Sequence, residues 1–189
     1  MIDKFLKAKH WQIFMLTFGL PYLIQIIMMP MIMMGNEPMM IMKVFPIIMI
    51  LFIGGFLGWL WSIGMGLQSK VPNDITMKVK KFKIFLIIPL IYMFLISLAL
   101  GTMFSGALEG GQEPNGGLIG GLVGIILPLH LFSMFCIFYC LYFVAKTLKT
   151  AELQKEVSFS DFAGEFFMIW FFPIGIWIVQ PKVNKMIED

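Results

Sequence analysis

Eight methionines fall between Met28 and Met42, within the stretch IIMMPMIMMGNEPMMIMK. Thioethers are soft ligands suited to Cu(I), and Met28, Met29, Met31 and Met33 have helical spacings that could gather sulfurs at one mouth of a membrane channel. Against that, Pro30 interrupts the helix that would align them, and no Cys or His joins the cluster. Met also fills irregular apolar gaps well, and 18 of them are spread through the chain. Apolar filler is the expected role; passive conduction of a small ligand, with Cu(I) the best-motivated case, is the alternative, continued along His130, Met134, Cys136 and Cys140. His10 lies outside the apolar runs, which leaves His130 without an axial partner for haem. No cofactor is expected.

Enzyme signatures are missing. The sequence has no H-E-x-x-H, no nucleophile elbow, no phosphate loop and no paired carboxylates in or near an apolar run. The strongest polar groups deep inside such runs are Gln25 and His130, at comparable depth, and they are expected to be partners. Two roles are open for the pair: one interhelical hydrogen bond of about 0.6–2 kcal/mol that fixes helix packing, or the lining of a pore or ligand pocket. Gly54 and Gly58 form a small-xxx-small pair, and Gly116, Gly120 and Gly124 form a longer row. Both are candidate helix-packing seams, since small residues let backbones approach where lipid supplies no hydrophobic drive.

These side chains must be held by membrane helices. Of 189 residues, 59% are hydrophobic and 13% charged, with a mean hydropathy of +0.89; one soluble core cannot hide that apolar fraction. The net charge of +3 is scattered, which argues against a nucleic-acid partner. Cys136 and Cys140 sit inside an apolar run and read as small buried side chains.

Runs without charge mark four spans, Trp11 to Met34, Val44 to Leu67, Ile84 to Phe104 and Leu118 to Ala145, each near the roughly 20 residues needed to cross. A fifth run, Phe166 to Val179, is short and carries Pro173 and Gly175. It fits a re-entrant or interfacial segment, with a fifth transmembrane helix as the alternative. The predicted fold is therefore an all-α integral membrane protein with four transmembrane helices in two hairpins and a C-terminal aromatic segment. The corresponding divisions are an N-terminus over 1–10, a transmembrane domain over 11–145, a linker over 146–165, the aromatic segment over 166–180 and a tail over 181–189.

Lys4, Lys7, Lys9, Lys70, Lys78, Lys80, Lys81, Lys83, Lys146, Lys149 and Lys155 flank one side of these runs, against Lys43 alone on the other. Basic loops stay in the cytoplasm, so the N-terminus is expected inside, in a bacterial cytoplasmic membrane. Trp11, Trp59, Trp61, Trp170 and Trp177 then form one inner belt if the fifth segment does not cross. Ser158 and Asp161 have the spacing of a capping box and predict a short helix there. The loops Gly35-Asn36-Glu37-Pro38 and Gly111-Gln112-Glu113-Pro114 resemble each other, as turn chemistry alone would make them. The expected function is that of a non-enzymatic multi-pass protein acting through helix contacts as an oligomer, a pore or an accessory subunit, with a membrane effector or immunity factor as a variant. Its partners are the lipid bilayer and either itself or another membrane protein.

Overall fold

The structure, a computed structural model, describes residues 2–33, 39–108 and 116–188. Every regular element among them is helical. Both glycine-bearing loops lie outside the described residues, as do the side chains of Met31 and Met33 and the surroundings of Gly116. Among the described residues, four helical stretches are long and apolar enough to cross a membrane: His10–Pro30, Pro46–Lys70, Val79–Ala99 and Val123–Leu153.

The chain opens with α1 (Ile2–Lys7), breaks at Ala8 and Lys9, and enters the first span through α2 (His10–Phe14) and α3 (Leu20–Met33). Between these two, Met15–Gly19 forms one widened π turn, in which Leu20 N–H donates to the Met15 carbonyl. Pro21 explains it. A proline has no N–H to give the preceding turn and its ring crowds that turn's carbonyl, so the helix admits an extra residue just before it. Next come α4 (Met39–Gly66), ended by a 3-10 turn over Leu67–Lys70, then α5 (Val79–Leu108) and α6 (Gly116–Leu153). Helix α4 packs on α5 and α6, and α5 packs on α6.

Helix α6 runs on as far as Leu153, and α7 (Phe159–Trp170) begins soon after. Most of the linker expected over 146–165 is thus helix, because a count of uncharged residues finds the hydrocarbon boundary and not the helix end. Ser158 caps α7 as its spacing predicted, its N–H donating to Asp161 Oδ2 at 2.7 Å. After Phe171, whose ψ of 55° leaves the helix, α8 (Phe172–Glu188) completes the chain.

The core lies at one end. Leu6 meets Gly66, Phe82 meets Gly64, and Gln154 donates to the Lys70 carbonyl, so the lysine-rich connections share a single end of the bundle. Leu60, Ile63, Phe82, Val144, Phe162 and Ile176 are fully buried there in one cluster. Toward the far end, by contrast, every described residue from Gly120 to Phe132 is exposed except the half-buried Ile126.

Candidate functional site

Helices α7 and α8 meet in an elbow at Phe171. Gly175 permits it: a Cβ at that position would overlap the Met168 carbonyl, so only a residue without one lets the second helix return against the first. The elbow inserts Phe172 among the rings of Phe18, Phe56 and Trp59, with centroids 4.9–5.5 Å away. Beside it lies an apolar cavity of about 380 Å³ whose walls include Phe18, Phe52, Ile137, Phe138 and Trp170. The outer surface of the elbow is also apolar, with Phe167, Trp170, Phe171, Ile174, Trp177 and Ile178 exposed.

Polar side chains lock the elbow to the rest of the lysine end. Gln180 is fully buried; its Oε1 accepts from Trp59 Nε1 at 2.7 Å, and its Nε2 donates to the carbonyls of Phe5, Leu6 and Ala8 at 2.9–3.1 Å. Asn184 Nδ2 adds bonds to Leu6 and Ala8. Those carbonyls lie in and just beyond the last turn of a helix ending at Lys7, where intrahelical donors run out; of the three, Phe5 also accepts from the Ala8 N–H. The C-terminal helix therefore caps the N-terminal one and ties both to the second span. Trp59, expected at the headgroup level, belongs to this buried core instead, whereas Trp11, Trp170 and Trp177 are exposed at the lysine end.

An ion network closes the other side. Lys182 reaches Glu165 at 3.0 Å and Glu152 at 3.7 Å, and Lys149 reaches Glu152 at 2.8 Å and Glu165 at 3.3 Å, so α6, α7 and α8 share two acids and two lysines. Burial pushes the Glu165 carboxyl upward, yet hydrogen bonds from Lys182, its own backbone amide and Lys149 outweigh this and hold it below its ordinary range. Exposed Asp161 is also lowered, by the hydroxyl and amide of Ser158. The sequence pattern did not pair these residues. The usable signal was the spacing of Gln180 with Phe172, Ile176 and Val183, which puts an uncharged polar side chain on the buried face of an amphipathic helix.

The far half separates residues that the sequence suggested pairing. His130 Nδ1 lies 3.1 Å from Tyr92 Oη, while Gln25 is exposed and makes no hydrogen bond with any described residue, so the two are not partners within the chain. Helix α6 turns His130 toward Tyr92 on α5, and not toward the first span. Gly54 faces open space and borders a groove of about 270 Å³ with Ile50, Leu90, Met93 and Ser97. Close packing uses its neighbour Gly55, against Thr17, and Gly64 and Gly66 farther along. A Cβ at Gly58 would stand 3.3 Å from the Phe5 ring, and Gly120, Gly121 and Gly124 have no neighbouring atom where a Cβ would stand. Met28 is buried and Met29 is 62% exposed, so these two sulfurs sit in different surroundings. Cys136 and Cys140 are free and buried.

Comparison with protein-family models, curated proteins and solved structures gives no match for this chain.

Proposed function

We propose that this is a non-enzymatic multi-pass membrane protein that acts by helix association, through the far half of its spans, with further copies or with another membrane protein. One observation carries the reading: more than three turns of α6, from Gly120 to Phe132, are exposed almost throughout among the described side chains and have open space at three glycines. Small residues of this kind admit a second helix backbone. Assembly as an oligomer, as a pore or as an accessory subunit all use such a seam.

In this reading the spans form two hairpins, the lysine end faces the cytoplasm of a bacterial cell, and the elbow dips into the inner leaflet without crossing. The apolar outer surface at Phe167, Trp170, Phe171 and Ile174 supports the last point, since water would leave it unburied and hydrocarbon would not. The decisive test compares sedimentation of the wild type and Gly120→Leu in lipid nanodiscs or mild detergent over a range of protein-to-lipid ratios. A concentration-dependent oligomer that Gly120→Leu weakens at least tenfold is expected. A chain that stays monomeric and finds no membrane partner on crosslinking in cells would remove the proposal.

A further inference from the structure

Five lysines and one acid, Asp74, lie between Lys70 and Lys83. None of the five forms an ion pair with a described residue, whereas Lys149 and Lys182 share Glu152 and Glu165. Lys80, Lys81 and Lys83 stand in the first turns of α5, at the positive end of its dipole, so the helix adds to their charge and does not offset it. Two of these ammonium groups rest on rings of neighbouring helices. Lys83 Nζ lies 5.9 Å from the ring centre of Trp61 on α4, and Lys81 Nζ lies 5.0 Å from that of Phe85 and 4.6 Å from that of Tyr139 on α6.

Lys81 heads a row of rings in the seam where α5 packs on α6. Tyr142 and Tyr139 have centres 6.4 Å apart, Phe85 lies 4.9 Å from Tyr139, and Phe135 lies 6.0 Å from Phe85. The row leads away from the lysine end. Tyr142 and Phe135 are exposed, and the hydroxyls of Tyr139 and Tyr142 have no hydrogen-bond partner among the described residues. Because α5 is apolar enough to span from Val79 onward, Lys81 stands where the apolar stretch begins. The seam is thus cationic and rich in hydroxyls at its entrance and apolar farther in.

We propose that this seam binds one anionic phospholipid, with Lys81 and the Tyr139 hydroxyl on its phosphate and an acyl chain along Phe85 and Phe135. Lysines clustered just outside a spanning helix attract acidic headgroups, and a phenol hydroxyl donates to a phosphate oxygen. Exposed Lys78 and Lys80 add to the attraction. A lipid is the occupant because it alone matches both parts of the seam: a free phosphate would leave the exposed rings uncovered, and an uncharged lipid would leave the lysines unpaired. The proposal is independent of self-association.

Native mass spectrometry tests it. The full chain in mild detergent is titrated with dioleoyl phosphatidylglycerol or with dioleoyl phosphatidylcholine, and the bound lipid is counted. The anionic lipid should fill a single site at least about tenfold more tightly than the zwitterionic one. Lys81→Gln should weaken that site roughly fivefold, and Tyr139→Phe and Phe135→Ala about threefold each. Lys155→Gln, which removes the same charge from an exposed lysine without an ion pair, should change it less than about twofold. Lys81 and Phe135 are exposed, so their variants keep the fold. Equal binding of the two lipids overturns the proposal. So do equal losses from Lys81→Gln and Lys155→Gln, since diffuse charge would then account for binding, and so does displacement of the lipid by millimolar inorganic phosphate, since the seam would then need no acyl chain.

Discussion

Gln180 and Gln25 are the same side chain in two halves of one molecule. At the lysine end, Gln180 accepts from an indole and donates to three carbonyls of the N-terminal segment; toward the far end, Gln25 is exposed with no described partner. Among the glycines, a Cβ added at Gly175, Gly66 or Gly64 would meet another element, while one at Gly120, Gly121 or Gly124 would meet open space, as it would at Gly164 on α7. Thr150 Oγ1 is the one buried polar side-chain atom without a partner among the described residues, and it too belongs to the lysine half. The lysine half is completed within one chain, by contacts between sequence-distant segments, whereas the far half presents surfaces that the described residues do not cover.

Gly175→Val should break that contrast most severely. Its side chain would displace the Met168 carbonyl, so the elbow cannot close and the lysine half loses Phe172 from its aromatic cage. The expected cost is more than about 4 kcal/mol, read as loss of cooperative thermal unfolding in detergent. An unaltered melting curve would mean that the elbow contributes little to the fold.

A smaller effect is expected from paired glutamine substitutions. Gln180→Leu leaves buried Trp59 Nε1 without its acceptor and takes one donor from the carbonyls of Phe5, Leu6 and Ala8, at a cost of about 2–4 kcal/mol. Gln25→Leu in the dilute monomer should change stability by less than about 0.5 kcal/mol. Equal destabilisation by both in equilibrium unfolding would erase the distinction between the halves.

The ion network should give the smallest change. Glu165→Gln is expected to cost about 1–2 kcal/mol, because its partners Lys149 and Lys182 are partly exposed and screened. The Glu165 carboxyl is held below its ordinary value of 4.5 in the folded state, so its stabilising contribution is complete above that value and is lost as the pH falls through the lower folded one. Wild-type stability should therefore drop more than that of Glu165→Gln on acidification below pH 4.5; parallel curves would rule out Glu165 as the source.

The spans and the start of α7 could be read directly from the sequence because their causes are local. Charge excluded from hydrocarbon ends each apolar run, and Ser158 with Asp161 completes a cap inside a single turn. Which face of each helix meets which neighbour could not be read this way. Gly54 was the expected packing residue and Gly55 performs that role; the two differ by one position, about 100° around the helix, and composition this uniformly apolar leaves no amphipathic stripe to say which side is inward. For the same reason residue counting could match Gln25 with His130, but α6 turns His130 toward Tyr92. Four long helices apolar enough to span a membrane and the capped start of α7 follow from residue order alone, as consequences of solvation and short-range hydrogen bonding. That Gln180 caps a helix 174 positions away is visible in the packed fold and not in the residue order, because such a bond depends on how every intervening helix is rotated and packed.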